Sequence, residues 1–358
     1  MLTVMIGTCT CLVTRQLLPQ KEVEMVSSVA RDIVSAFFRR GRIALIAGGA
    51  AVALTIPATA FAAGGPHSIS TFPVGNVPLG VAVNPITGTT YVADAGDDAV
   101  SVLSGQTHRV IATVPVGSIP HGVAIDWVTN TIYVGNVASN TVTVINGRTN
   151  QVKATIPGVG PSGVAVNLAT DTVYVANFNG DALSVVNGRT DQVTATIPVG
   201  TGVGWVAVDQ ETGTVYAAGE AANTVLAING RTNQVTAVIP VGNEPFVVAV
   251  NDATDTVYAA NHADNTISVI DGRTDKVKAT IPVGAGPFGV MADPMSGTVY
   301  AANFLDNTVS VIDGRTDKVE ATIPVGAGPF GLAVTGLLTR NVYVSNANGN
   351  TVQIIRGV

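Results

Sequence analysis

The chain has 358 residues, a formal charge of −6, only 12% charged side chains, 39 Gly and 18 Pro; this composition argues against a protein of solvated helices and for short strands joined by tight turns. From Gly64 onward 12 Lys and Arg face 21 Asp and Glu, an acidic balance that disfavours a nucleic-acid partner. Both cysteines, Cys9 and Cys11, lie near the N-terminus, so the rest of the chain has no disulfide, thiolate metal site or cysteine nucleophile.

Residues 1–63 read as an address. Arg39, Arg40 and Arg42 precede an apolar run from Ile43 to Ile56, and Ala58-Thr59-Ala60-Phe61-Ala62-Ala63 follows. A basic region, a short apolar core and an Ala-x-Ala site form the layout of a secretory signal peptide, with cleavage expected after Ala60 or Ala62. The run is shorter than the roughly 18–20 residues that cross a bilayer, so no membrane span is expected after cleavage; an uncleaved anchor is the alternative. Gly41-Arg42-Ile43 fits a twin-arginine signal poorly, which favours the general route. Residues 1–24 are unusual for such a signal, and Met25 is an alternative start.

Residues 64–358 are a repeat. Tyrosines stand at 91, 133, 174, 216, 258, 300 and 343, and an apolar residue followed by proline recurs at Pro73, Pro115, Pro157, Pro198, Pro240, Pro282 and Pro324. Two independent markers share one period of about 42 residues. Each unit reads as four short strands. In the fifth they are Val247–Val250, Thr256–Ala260, Thr266–Ile270 and Val277–Ile281, rich in the Val, Ile, Thr and Tyr that suit a pleated, half-buried surface. Gly272 is expected to supply a positive φ in the turn between the third and fourth strands. The recurring tyrosine is expected to pack between neighbouring units with its hydroxyl on a polar partner. Four strands per repeat predict an all-β, seven-bladed β-propeller with four antiparallel strands per blade; a parallel β-helix is the competing repeat fold.

The last unit stops after three strands, near Ile355. Ser68-Ile69-Ser70-Thr71-Phe72-Pro73-Val74-Gly75 matches Val319-Glu320-Ala321-Thr322-Ile323-Pro324-Val325-Gly326 in pattern. The N-terminal strand is therefore predicted to complete the last blade, closing the ring and removing its exposed edges.

The second strands read Tyr91-Val-Ala-Asp, Tyr133-Val-Gly-Asn, Tyr174-Val-Ala-Asn, Tyr216-Ala-Ala-Gly, Tyr258-Ala-Ala-Asn, Tyr300-Ala-Ala-Asn and Tyr343-Val-Ser-Asn. With the following Asn-Thr-Val-Ser-Val-Ile and Thr-Ile-Pro-Val-Gly, the unit resembles the YVTN family of β-propeller repeats, of the YncE-like and surface-layer type. The resemblance covers roughly residues 67–358. It implies the propeller fold and a place in exported or surface-layer proteins of bacteria and archaea. It brings no catalytic motif. The motif's Thr is usually Ala here, and Gly219 stands where the fourth unit should have Asn.

Strand alternation puts the lead-in to the first strand and the second-to-third loop on one face. The other face repeats Asn146-Gly147-Arg148-Thr149-Asn150 through Arg315, read as solvated turns. The first face varies. Its lead-in positions are Leu79, His121, Ser162, Gly204 with the adjacent Trp205, Phe246, Phe288 and Phe330, and its loops add Phe178, Glu220, His262 and Phe304. If the first strand is innermost, these residues rim a central channel. Leu79, His121, Ser162, Trp205, Phe246, Phe288, Phe330, His262 and Phe304 are the candidate ligand-binding set; a plug of phenylalanines is the other reading. His67, His108, His121 and His262 show no metal-ligand spacing. Asp97, Asp98 and Asp264 lie in loops of the kind that hold calcium, although Asp is common in turns. No Gly-x-Ser-x-Gly or phosphate loop is present, so no catalytic residue, metal or cofactor is assigned.

The expectation is a secreted or cell-surface monomer that binds a protein, peptide or glycan. A lactonase-like or quinoprotein-like enzyme, with His121, Ser162 and Glu244 near the mouth, and a structural surface component are the alternatives.

Overall fold

The computed structural model describes residues 67–158, 160–178, 180–200, 202–335 and 340–356, together with strands at Leu2–Ile6, Cys9–Val13, Ala44–Ala47 and Ala50–Ala53. Contacts divide the chain into residues 1–63 and 64–358. In the first unit the four short strands pair as two antiparallel hairpins. The arginines at 39, 40 and 42, the expected cleavage region and Met25 lie outside the described residues. Among the described residues no helix is long and apolar enough to cross a membrane.

The second unit is a seven-bladed β-propeller. Each blade is a four-stranded antiparallel meander. Blade 1 spans Pro78–Pro115, blade 2 Pro120–Pro157, blade 3 Pro161–Pro198, blade 4 Val203–Pro240, blade 5 Pro245–Pro282 and blade 6 Pro287–Pro324. Blade 7 takes Pro329–Val334, Asn341–Asn346 and Thr351–Arg356, and its outer strand is His67–Pro73 from the other end of the chain. Pro73 faces Thr351, Phe72 faces Val352 and His67 faces Arg356. The expected closure is therefore present. In blade 5 the strands are one or two residues longer at most ends than the sequence reading, with Pro245 opening the first and Pro282 ending the last. Those are the strand positions where a missing N–H costs least.

The first strand of every blade lies beside the first strand of the next, from blade 1 round to blade 7 and back, so it is the innermost strand. The core sits between blades. Tyr91 of blade 1 packs with Val123, Ile132, Val134 and Ile145 of blade 2, and Tyr343 of blade 7 packs with Val81, Val92 and Leu103 of blade 1. All seven tyrosines are at most 1% exposed. Their hydroxyls find partners across the blade boundary: Tyr174 donates to the Gly230 carbonyl at 3.0 Å and Tyr133 to the Gly188 carbonyl at 3.3 Å. At the seam, Tyr343 meets Nδ1 of His108 at 2.8 Å instead. The position is structural, as expected.

The last residue of the second strand is equally structural. Asn261 donates from Nδ2 to Ser268 and Thr266, both at 2.9 Å, and Asn303 does the same to Ser310 at 2.9 Å and Thr308 at 3.0 Å. The asparagine thus ties the second strand to the third inside the blade. In blade 4 Gly219 replaces the amide and Leu226 replaces the buried serine hydroxyl, while Thr224 keeps the second hydroxyl at the part-exposed strand end.

One turn reading is corrected. Gly272 does not carry the positive φ. That conformation falls on Asp275, at 54°, and on Asp255, at 52°. Gly272 is required for space, because a Cβ there would collide with Oδ1 of Asp255. Asp and Asn tolerate the left-handed region better than other side-chain-bearing residues, which leaves the glycine free for the close approach.

Candidate functional site

Backbone bonds fix the variable face. The first residue of each second-to-third loop donates to the lead-in loop of its own blade: Phe178 to Gly160, Glu220 to Gly202, His262 to Glu244 and Phe304 to Gly286, at 2.9–3.1 Å. A second contact joins neighbouring blades. The loop residues Asp98, Asn223, Asn265, Asn307 and Asn350 all have φ between 51° and 56°. Each side-chain oxygen accepts the N–H of the next lead-in, as Asn223 does from Glu244 at 3.0 Å and Asn265 from Gly286 at 2.8 Å. Asp97 and Asp264 are used in the same region: their carboxylates accept both the backbone and side-chain N–H of Asn76 and Asn243, at 2.7–2.8 Å. Those bonds hold both acids below the usual carboxylate range. The oxygens considered for calcium thus already accept hydrogen bonds, Asp98 from the lead-in of the next blade and Asp97 and Asp264 from that of their own, and the described residues contain no group of three His, Cys, Asp or Glu arranged for a metal.

The lead-in residues converge over the channel. His121 of blade 2 meets Phe330 of blade 7, Trp205 of blade 4 and Phe246 of blade 5 edge-on, with ring centroids 5.3, 5.9 and 6.0 Å apart. Phe246, Phe288 and Phe330 contact one another at 5.1–6.1 Å. His262 stacks on Phe288 at 4.1 Å, and Phe304 meets the same ring edge-on at 5.2 Å. Seven of the nine predicted positions therefore form one connected aromatic set. These are ordinary aromatic pair geometries, and the rings come from blades 2, 4, 5, 6 and 7. Phe330 is buried, while Trp205, Phe246, Phe288, Phe304 and both histidines keep part of their surface open. Leu79 holds the corresponding half-buried position on blade 1.

Ser162 lies beneath the set, 4% exposed, with its Oγ 3.4 Å from Nδ1 of His121. Burial pushes the His121 imidazole down to about 4, so it is neutral at physiological pH. A nucleophile and its base stand within about 2.6–3.2 Å, with a third group orienting the base. Here the contact is longer, the serine is covered, and the neighbours of His121 are aromatic rings.

Beside the aromatic set, blades 3 to 5 enclose a groove of 620 Å³ lined by Phe178, Glu220, Asn223, Asn243, Glu244 and Asp264 among others. It lies where blade 4 departs from the repeat. Val203 replaces the lead-in proline, Gly200 and Gly202 take positive φ, and Gly204 contributes no side chain to the rim. Burial, then the nearby charge of Glu244, pushes the Glu220 carboxyl up. Among the described residues, Oε2 of Glu220 and Nδ1 of His262 are buried without a hydrogen-bond partner. Sequence reading marked Glu220 and Glu244 separately; the loss of the proline in the fourth unit was the signal that could have joined them.

Below the plug, the inner strands enclose an apolar channel of 330 Å³. It runs from Trp205 and Phe330 to Gln210 and Asp252 at the opposite mouth.

No family model matches the chain. A stretch of 42 residues, 12% of the chain and one repeat in length, is 52% identical to the PE-PGRS family protein PE_PGRS18 of Mycobacterium tuberculosis, of which it spans 9%. Among solved structures, hydrazine synthase of Kuenenia stuttgartiensis is similar with a TM-score of 0.71 over 85% of this chain and 99% of that one, at 18% identity. At that identity the likeness shows the shared propeller fold and nothing of its chemistry.

Proposed function

We infer that this chain is an exported binding propeller of the YVTN repeat type, which presents its variable face to a protein, peptide or glycan. The address-like first 63 residues support export. The groove beside the aromatic set, with the unpartnered Glu220 Oε2 in its wall, carries the binding reading. Buried polar atoms are nearly always hydrogen-bonded; Glu220 lines the groove, and His262, next to the groove residue Ala263, stacks on the part-exposed Phe288 ring. A ligand with hydroxyl or amide donors and a flat or apolar face satisfies the carboxylate and stacks on the rings. The spacing and burial of His121 and Ser162 favour packing over catalysis.

The test is capture from secreted and cell-wall fractions on the immobilised chain. Phe304→Ala and Glu220→Gln should each lower retention of the captured ligand by about tenfold, the effect of one lost stacking or charged contact. Arg273→Ala, 76% exposed on the opposite face, should leave retention unchanged. Equal loss in all three, or capture insensitive to all three, overturns the assignment.

A further inference from the structure

The channel beneath the plug raises a separate question. Its wall is made by the inner strands, with the part-exposed Val83, Ile125, Val250 and Val334 among the lining residues. At the mouth away from the plug, one position recurs in each described first-to-second turn, just after the Asn or Asp that caps it. It is Pro85, Trp127, Leu168, Gln210, Asp252 and Pro294 in blades 1 to 6. Only Asp252 is ionisable.

The neighbouring blade holds this carboxyl in place. Gln210 accepts from Leu168 N–H at 3.0 Å and donates from Nε2 to the Val166 carbonyl at 2.8 Å, while its own backbone N–H donates to Oδ1 of Asp252 at 3.0 Å. Three blades are thereby linked, and the amide of Gln210 is fully used. Among the described residues Oδ2 of Asp252 has no hydrogen bond, and no ion pair involves Asp252. A carboxyl held at the edge of an apolar cavity without a cation is unfavourable unless something neutralises it.

We propose that the channel binds an alkylamine, whose hydrocarbon chain lies along the valine-lined wall and whose ammonium pairs with Asp252. An acid or a neutral alcohol of the same length fits the wall but lacks the charge. The protonation state of the site agrees: burial, with Asp209 and Glu211 adding negative charge nearby, pushes Asp252 up to about 7, and a bound ammonium offsets all three effects. The site is at the far mouth from the aromatic face, so it does not depend on the function proposed above.

Calorimetric titration of the full secreted chain with octylamine, octanol and octanoate at pH 8 tests this. Octylamine should bind about tenfold or more tighter than octanol, the worth of one charge-assisted contact, and octanoate should bind more weakly than either. Asp252→Asn should bring octylamine down to the octanol level while leaving octanol binding and face-ligand capture unchanged. Ala207→Leu, which narrows the channel, should weaken octylamine and octanol together. Octanoate binding as well as octylamine, an octylamine preference that survives Asp252→Asn, or no binding of any of the three overturns the proposal. Loss of face-ligand capture with intact amine binding would strike only the earlier reading.

Discussion

Blade 5 and blade 4 are neighbours built on one pattern, and they differ at the lead-in, at the rim and at the end of the second strand. Blade 5 opens with Pro245, sets Phe246 on the rim, buries Asn261 against Ser268 and keeps Tyr258 between blades. Of these four features blade 4 keeps the tyrosine alone. It opens with Val203, offers Gly204 to the rim, moves its aromatic ring one place on to Trp205, and exchanges the Asn–Ser pair for Gly219 and Leu226. The contrast separates two kinds of constancy. The inter-blade tyrosine survives because removing it leaves a large cavity. The Asn–hydroxyl pair is dispensable if both partners go together, because a matched polar pair contributes little net stability while a half pair costs a desolvated group. Loss of the lead-in proline and of a rim side chain is what makes room for the groove.

The largest effect is expected at blade 7, which opens with Pro329 and Phe330 as blade 5 does with Pro245 and Phe246 but takes its strands from both chain ends. Deleting residues 67–75 exposes the edge of Thr351–Arg356 and should remove cooperative melting or lower the melting temperature by more than about 10 °C. An unchanged melting curve would show that three strands suffice for a blade here. Next in size, Tyr258→Ala and Tyr216→Ala should each cost about 3–5 kcal/mol in denaturant titrations, equally in the two blades despite their other differences. A much smaller cost in blade 4 would mean that its irregular strands repack.

Half pairs sharpen the point about polar partners. Asn261→Ala strands the Ser268 hydroxyl, and Gly219→Asn places an amide against Leu226; both should destabilise by about 1–3 kcal/mol. Gly219→Asn combined with Leu226→Ser should recover most of that loss.

The smallest effect is a matter of pH. Asp252 has its acid range raised to about 7 from 3.8 in the folded chain. The folded state therefore holds its proton more tightly, and this contribution to stability is full below pH 4 and lost as pH rises through 7. His121 acts oppositely: lowered to about 4 from 6.5, it adds stability as pH rises from 4 to 6.5. Wild-type curves sum both, so the variant isolates one. Asp252→Asn should match wild type near pH 4 and exceed it by about 1–2 kcal/mol at pH 8. An identical pH dependence would show that this carboxyl is well solvated.

Much of the fold was legible because a blade is local. Its strands follow one another through turns of a few residues, so the period of Tyr91 to Tyr343, the turn residues and the unfinished last unit all write themselves along the chain. The exchange of turn roles between Gly272 and Asp275 was not legible, since it depends on how closely Asp255 approaches. The rim residues could be listed from the alternation of strand direction, but not the manner of their meeting.

By itself, then, the sequence determined the number of blades, their strands, the closing partner and which face varies, because each follows from hydrogen-bonding patterns between segments adjacent in the repeat. Only the tertiary structure decided that His121 touches Phe330 and Trp205 across the axis, that Glu220 faces a groove and that Asp252 ends an apolar channel. Those encounters join residues tens to hundreds of positions apart. Their geometry exists only once all seven sheets have bent into a circle, and no local periodicity encodes the distance across it.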